Sequence, residues 1–205
     1  MTYPTTHGVV ALCGDRERAA RVAAAVAEEA AGASSVTLHT AVEGHAGDWM
    51  ATIRATGDVT ALADALRDVA DRGLFEAELR RVKAHPVTWA VGESTPGVGL
   101  LFAGRRRHDL THEEYDFHWR DVHAPLALRH HVGMWDYVQC SFVRPLGDDA
   151  PDYDGLAICK FPTLEDYKLR FFDSDEGRAV IQADVATFAD VAASPTMRMT
   201  EIVLR

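Results

Sequence analysis

The sequence predicts an α+β fold in which two β-α-β-β-α-β units follow one another. Two short apolar runs with glycine at both ends, "GVVALCG" at 8–14 and "GVGLLFAG" at 97–104, each begin the same order of strands and helices. Between them, "TPGVG" at 95–99 is typical of a break between structural units. We therefore expect an N-terminal unit over 1–94 and a C-terminal unit over 95–205.

In the N-terminal unit, Asp15 and Asp58 are suited to cap helices, because an aspartate oxygen can accept a hydrogen bond from a free backbone N–H. Gly73 is expected to end the second helix. Pro86 lies within the last predicted strand and favours an edge position or a bulge there. The predicted strands cover 8–14, 35–42, 49–56 and 79–91, and the helices run from Asp15 to about Ala31 and from Asp58 to Gly73.

In the C-terminal unit, Thr111 and Glu114 fit the T-x-x-E capping box, which predicts a helix start. Pro125 is expected to break or end that helix. Each unit has the order of the ferredoxin-like motif, an antiparallel sheet with helices on one face. Since the open sheet faces must be buried, we expect the two sheets to pack face to face. The predicted strands cover 97–104, 135–143, 154–161 and 197–204, and the helices begin at Thr111, Thr163 and Ser174.

The composition is that of a soluble globular protein, with 47% hydrophobic and 25% charged residues in a chain of 205. A net charge of -10 without a long basic run disfavours binding to nucleic acid. Cys13, Cys140 and Cys159 are odd in number and far apart, which favours free thiols in a reducing compartment. With neither an apolar run of membrane-spanning length nor a signal peptide in the sequence, we expect a cytoplasmic protein without a membrane partner.

The stretch "THEEYDFHWRDVHAPLALRHH" at 111–131 holds five of the ten histidines. Tyr115, Trp119 and Val122 share one helical stripe, and His118 and His123 flank it on opposite edges at about 100° per residue. This spacing is not the i, i+4 pair of a zinc helix, so we predict no metal site. His123 is open to two interpretations, a satisfied packed residue or a general acid/base. The other three, His112, His130 and His131, are interpreted as surface or loop residues.

Three segments together resemble the EthD family: "RRRHDLTHEEYDFHWRDVHAPLA" at 105–127, "YVQ" at 137–139 and "YDGLAICKF" at 153–161. The resemblance covers roughly 98–204. It implies a ferredoxin-like fold, with two units paired around a cavity as a dimeric α/β barrel. It also implies a small, often aromatic or polyketide-derived substrate. The additional N-terminal unit leaves open a monomeric barrel or a homodimer. The family pattern falls on Arg106, Trp119, His123, Tyr137 and Asp154.

These positions suggest a cofactor-independent dehydratase, cyclase or decarboxylase. In this hypothesis His123 moves a proton next to a carbonyl, while Arg106 and Tyr137 stabilise the resulting enolate. Asp154 either orients His123 or forms a turn, Arg106 is otherwise a solvated loop residue, and Tyr137 is otherwise a core residue. The predicted substrate-binding residues are His118, Trp119 and Tyr115.

Two other functions stay open: a haem- or oxygen-dependent monooxygenase-like protein, and a non-catalytic small-molecule-binding module. The N-terminal unit has no comparable grouping of polar residues, so the site is expected in the C-terminal unit. The sequence has no dinucleotide, P-loop or serine-hydrolase motif.

Overall fold

Eight antiparallel strands form one closed barrel in the computed structural model, which describes residues 2–29 and 32–205. The strands pair around the barrel in the order β1-β3-β2-β8-β5-β7-β6-β4. Their bounds are β1 Thr5–Cys13, β2 Ala33–Ala41, β3 Ala51–Gly57, β4 Gly73–Lys83, β5 Val98–Gly104, β6 Asp136–Pro145, β7 Gly155–Phe161 and β8 Thr196–Val203.

The helices lie outside the barrel, between the strands in sequence. Among the described residues, the first half has two helices, and the second half has four together with a π-helical turn and a short 3-10 turn. The bounds are α1 Arg16–Glu29, α2 Val59–Leu66, α3 His112–Phe117, the π-turn His118–His123, α4 Ala124–His130, α5 Leu164–Leu169, α6 Asp175–Phe188 and the 3-10 turn Val191–Ala193.

The two halves join at their strand edges as well as facing each other across the barrel. β2 pairs with β8, and β4 pairs with β6, so backbone hydrogen bonds close the barrel within one chain. Closure satisfies strand edges that would otherwise be open to pairing with another chain. The strands of the two halves therefore form one hydrogen-bonded barrel and are not two separate sheets stacked face to face.

Successive side chains along each strand point in turn to the inside and the outside of the barrel. Both sides are apolar, as expected for a sheet buried on both faces. Inward-facing residues of both halves, such as Leu12, Leu101 and Ile158, fill the middle of the barrel. Outward-facing residues of the first half, such as Ile53, pack against α1 and α2. The helices of the second half cover the outer face of β5, β6 and β7.

The predicted caps are confirmed. Asp15 accepts from the N–H groups of Glu17 and Arg18, and Asp58 accepts from that of Ala61. Thr111 and Glu114 form the complete capping box. The hydroxyls of Thr163 and Ser174 cap α5 and α6.

The fourth strand of the first half was placed incorrectly from the sequence. Gly73 does not end α2, which stops at Leu66, but begins β4 with a φ of +137° that favours glycine. Pro86 lies beyond the strand, in a segment that crosses one end of the barrel. Hydrogen bonds from the N–H groups of Gly92 and Thr95 to β8 hold that segment in place. Ala31, the predicted end of α1, lies outside the described residues.

Candidate functional site

A cavity of about 280 Å³ lies between the sheet of the second half and its helices. Aromatic and aliphatic side chains supply most of its wall, including Phe102, Phe171, Ile181, Val185 and Phe188. The lining residues fall within 102–196, so none of the described residues of the first half contributes to the wall. This cavity lies in the half where the site was predicted, but it is enclosed by helices and sheet, whereas the resemblance implied a cavity between the two units.

The π-turn explains how one helix lines this cavity along its full length. In a regular α-helix, steps of four residues drift around the axis by about 40°, because each residue advances about 100°. The wider π-turn, in which the Ala124 N–H donates to the Trp119 carbonyl, offsets that drift. The residues that line the cavity are consequently spaced by four: Tyr115, Trp119, His123, Ala127 and His131.

Two predictions about this helix were wrong for the same reason. Val122 is 38% exposed and not part of the packed stripe, because the π-turn moves His123 into its place. Pro125 does not end the helix. It lies in the first turn of α4, directly after the π-turn, where a proline is tolerated.

Two glycines let the aromatic rings of this helix approach the sheet closely. A Cβ atom at Gly104 would lie 2.3 Å from the Tyr115 hydroxyl, and one at Gly155 would lie 2.6 Å from the Trp119 ring. The predicted substrate-binding residues Tyr115 and Trp119 therefore rest on backbone where no larger residue fits.

His123 and His118 bind the same carboxylate, that of Asp184 on α6. His123 Nδ1 lies 2.7 Å from Asp184 Oδ2, and His118 Nε2 lies 2.7 Å from Asp184 Oδ1. Both rings also pack against Phe188, with centroids 5.3 and 4.8 Å from its own. The two histidines thus share a side of the helix, contrary to the predicted opposite edges. His118 is not among the cavity-lining residues.

Asp184 is held in its charged form. Burial raises the pKa of its carboxyl, but the hydrogen bonds from His123 and His118 outweigh burial and lower the pKa below its ordinary value. An ionised carboxylate only accepts hydrogen bonds, so His123 Nδ1 carries the proton. Among the described residues, no group hydrogen-bonds His123 Nε2, and the His123 side chain lines the cavity.

Tyr137 presents a hydroxyl whose acceptor capacity is already used. Trp119 Nε1 donates to it at 3.0 Å and Gln139 Nε2 donates at 3.1 Å. Gln139 also donates to the Trp119 carbonyl at 2.9 Å, which fixes the orientation of its amide. Burial raises the pKa of Tyr137, so the phenol keeps its proton and acts as a donor. Tyr137 lines the cavity, as its predicted role requires.

His130 and His131 were wrongly interpreted as surface residues, since both are buried. His130 pairs with Asp173 at 3.0 Å. His131 Nδ1 lies 2.7 Å from the Phe171 carbonyl, which can only accept, so Nδ1 carries the proton. Burial lowers the pKa of His131 to about 4. His131 therefore lines the cavity as a neutral imidazole.

Arg106 and Asp154 are paired with each other and are not among the cavity-lining residues. Asp154 Oδ1 accepts from Arg106 Nη1 at 2.6 Å and lies 3.0 Å from His112 Nδ1, while Oδ2 accepts from the Arg106 N–H at 2.7 Å. Asp154 thus braces the loop before α3. The carboxylate that contacts His123, a role suggested for Asp154 from the sequence, belongs to Asp184. His112 is a partner in that brace and not a free surface residue.

Cys159 also lines the cavity, but burial raises the pKa of its thiol to about 12, so it is not a thiolate nucleophile. Cys13 and Cys140 are free and buried. In 2–29 and 32–205, no cluster of His, Cys, Asp or Glu is arranged to hold a metal ion. Within the same residues, no helix is both long and apolar enough to span a membrane.

Comparison with known families gives a match to the segment that contains most of the cavity-lining residues. Residues 107–192 match the EthD domain. The match includes His118, Trp119, His123, Tyr137 and Asp184. It begins one residue after Arg106, and it covers less than half of the chain. A comparison with curated proteins gave no match.

Solved structures of the same overall fold cover nearly the whole chain. An anthrone oxidase-like protein aligns with a TM-score of 0.59 and 14% identity, over 98% of this chain and 91% of that one. A mutant chlorite dismutase from Candidatus Nitrospira defluvii aligns with a TM-score of 0.52 and 12% identity, over 98% and 92% of the respective chains. These likenesses show the fold, an α+β barrel.

Sequence reasoning missed two residues of the site, Asp184 and His131. Asp184 carries a detectable signal, because it is an acid among the apolar residues Ile181, Val185 and Phe188 on one helical face. His131 carries none, since only the continuation of the helix past Pro125 brings it to the cavity.

Proposed function

We propose that this protein is a cofactor-independent enzyme that moves a proton on a small aromatic or polyketide-like substrate held in the helix–sheet cavity. The observation that carries the proposal is the His123–Asp184 pair at the wall of an aromatic-lined cavity. A carboxylate on Nδ1 fixes the tautomer and leaves Nε2 as a base. The same carboxylate stabilises the imidazolium that forms.

The proposed step places His123 and Tyr137 at opposite ends of one ketone. His123 Nε2 accepts a proton from the carbon next to the carbonyl, and Tyr137 donates a hydrogen bond to the oxygen, where negative charge accumulates. The imidazolium then returns the proton to a carbon or to a departing hydroxyl. Isomerisation follows from the first outcome and dehydration from the second. In a cyclisation, the enolate carbon instead attacks a second carbonyl of the substrate, and the alkoxide formed there takes the proton from the imidazolium. Arg106 and Asp154 act as positioning residues, because they brace the loop before α3.

The cavity wall supports a flat, apolar substrate. Phe102, Trp119 and Phe188 present rings, and aliphatic residues such as Ile181 and Val185 complete the apolar wall. The volume of about 280 Å³ lies just below the range of about 300–1,000 Å³ for pockets that hold drug-sized ligands. A molecule of two or three fused rings suits it better than a longer chain.

A haem group does not fit the cavity in this form. The volume of about 280 Å³ is below that of pockets for drug-sized ligands, and a porphyrin is larger than such ligands. The His123–Asp184 pair does resemble the carboxylate-bound histidine found in metal sites. We therefore keep haem addition as a control, with an absorbance spectrum as its measurement.

We further propose that the chain is two fused ferredoxin-like units, 1–94 and 95–205. Both halves show strands and helices in the same alternating order, and two edge pairings close the barrel. A barrel closed by one chain leaves no strand edge for a partner. We expect a monomer by light scattering after gel filtration.

The test of function is hydrogen exchange at carbon. The protein is incubated in D2O with 2-tetralone, a bicyclic ketone with acidic hydrogens next to the carbonyl, and deuterium uptake is followed by mass spectrometry. We expect uptake above the buffer rate, and a loss of about 10²- to 10⁴-fold in His123→Ala, the usual contribution of a general base. Tyr137→Phe is expected to retain binding and lose rate.

Equal rates for the wild type and His123→Ala would overturn the proton-transfer proposal. If 2-tetralone and related fused-ring ketones bind but never exchange, the non-catalytic binding module is favoured. Oxygen consumption during the same incubation would identify an oxygenase.

A further inference from the structure

A second cavity of about 540 Å³ lies at one end of the barrel, away from the EthD segment's helices. Inward-facing positions of β1 to β3 contribute to it, as do β4, β7 and β8. The segment over 84–97 covers this end, tied to β8 through Gly92 and Thr95. The proposed function leaves this cavity unexplained.

The cavity wall is positively charged, although the chain as a whole carries -10. Three cations line it, Arg54, Arg81 and Lys160, against one carboxylate, Glu201. Burial lowers the pKa of His85, which also lines the cavity, so this ring is neutral at pH 7. Fixed positive charge in a recessed site attracts anions.

Lys160 and Glu201 satisfy each other and their neighbours without a ligand. Lys160 Nζ lies 2.6 Å from Glu201 Oε1 and 2.8 Å from Asp136 Oδ2. Glu201 also accepts from the Thr95 hydroxyl at 2.9 Å and contacts His39 Nε2 at 3.1 Å. These groups form a fixed polar base of the cavity. Of the two other cations, Arg81 is exposed to solvent, and Arg54 is the one that is partly buried.

Arg54 has no carboxylate partner among the described residues. Its contact is a long one, from Nη2 to the Thr37 hydroxyl at 3.4 Å, and its Nε is buried without a hydrogen-bond partner there. An unpaired buried guanidinium donor is costly, and a planar carboxylate matches its geometry. The arrangement suits an anion that accepts hydrogen bonds from two N–H groups of the Arg54 guanidinium.

The rest of the cavity suits an apolar body attached to that anion. Leu79, Val138 and Val203 form one side. Trp89 lies on the covering segment and packs on His85, with ring centroids 5.1 Å apart. Trp89 Nε1 is likewise buried without a partner among the described residues.

We propose that the barrel-end cavity binds a small organic carboxylate, with the carboxylate on Arg54 and the apolar body between Trp89 and the barrel wall. This binding site is separate from the proposed catalytic cavity. The covering segment holds the ligand in place, since Trp89 belongs to it.

The test is a titration of the full-length protein with benzoate and with benzamide, its neutral analogue, by calorimetry and tryptophan fluorescence. We expect one benzoate per chain, with benzamide about 10-fold weaker or more. Arg54→Met is expected to weaken benzoate about 10- to 100-fold, as for a lost charged hydrogen bond. Arg21→Met, on the exposed face of α1, is the matched control and is expected to bind as the wild type does.

Three results would overturn the proposal: equal affinity for benzoate and benzamide, unchanged binding in Arg54→Met, or loss of benzoate binding in His123→Ala but not in Arg54→Met. The last would place benzoate in the helix–sheet cavity. Should Arg54→Met fail to fold, Trp89→Leu tests the same site, because it removes the fluorescence change and weakens benzoate if the ring covers the ligand.

Discussion

The two helix–sheet layers of this protein follow the same order of elements but pack in different ways. In the first half, the residues of α1 that face the sheet are small, and Ala19 and Ala23 are fully buried against it. In the second half, Tyr115, Trp119 and Phe188 occupy the corresponding layer. Small side chains let a helix pack directly on a sheet, whereas large rings occupy the space between helix and sheet.

The difference places the polar chemistry as well as the cavity. Among the described residues, apolar side chains pack between the sheet and α1 and α2, while the layer of the second half contains the His123–Asp184–His118 group. A buried polar group requires a hydrogen-bond partner, and Asp184 is the partner of both imidazoles. Phe188 packs against both rings. The site therefore follows from side-chain size and one helix irregularity, and not from topology.

The largest expected effect comes from separating these polar partners. Asp184→Asn offers one acceptor and one donor where the carboxylate offered two acceptors, so one imidazole must change tautomer. We expect the exchange rate with 2-tetralone to fall by about 10²- to 10⁴-fold in kcat, with KM little changed. The Nδ1–H signal of His123 in imidazole NMR is expected to shift or vanish.

The matched control for that variant is His118→Gln, which keeps a donor to Asp184 but is not in the cavity wall. A small effect is expected there. An equal loss of rate in both variants, with an unchanged His123 signal, would mean that Asp184 serves packing alone.

Most of the fold followed from local sequence signals. Caps at Asp58, Thr111 and Ser174 and the glycine-bracketed β5 were predicted because short-range hydrogen bonds and apolar spacing determine them. The start of β4 was missed, because Gly73 serves as a strand entry as readily as a helix stop. Edge pairing of β2 with β8 depends on contacts far apart in sequence, which no local pattern encodes.

The site was predicted in part for a similar reason. His123, Tyr137, Trp119 and Tyr115 were identified and do line one cavity, although their roles stay predictions. Angles of about 100° per residue placed His118 and His123 apart, and the π-turn that unites them has no sequence signature of its own. Asp184 lies 61 residues from His123, so only the folded chain reveals the pair.

A smaller effect is expected from the same substitution made in both layers. Ala23→Leu adds bulk where α1 already touches the sheet, which costs about 1–3 kcal/mol of unfolding free energy. Ala157→Leu places the same bulk in the cavity wall, where space exists, so stability is retained while binding of 2-tetralone is lost. Urea unfolding and the exchange assay measure the two outcomes. A stability loss in Ala157→Leu as large as in Ala23→Leu would mean that the second layer is as tightly packed as the first.

The smallest expected effect is on stability at acid pH. It is tested by comparing two carboxylates with lowered pKa values, Asp154 in the second half and Asp15 in the first. Burial opposes ionisation of Asp154, but the hydrogen bonds from His112 and Arg106 outweigh it and lower its pKa. In the first half, the Arg18 N–H lowers the pKa of exposed Asp15.

A lowered carboxyl pKa contributes stability that is complete above the ordinary value of about 4 and is lost as pH falls through the folded-state value. His112 acts in the opposite sense, because its pKa is raised by Asp154. Its contribution is complete below about 6.5 and fades as pH rises. The Asp154 brace is therefore strongest between about pH 4 and 6.5.

We expect Asp154→Asn to lower Tm by about 2–4 °C in that window, which corresponds to about 1 kcal/mol at this chain length, and by less at pH 3 or 8. Asp15→Asn is expected to show no such maximum. A Tm difference for Asp154→Asn that stays constant from pH 3 to 8 would show that neither titration stabilises the loop.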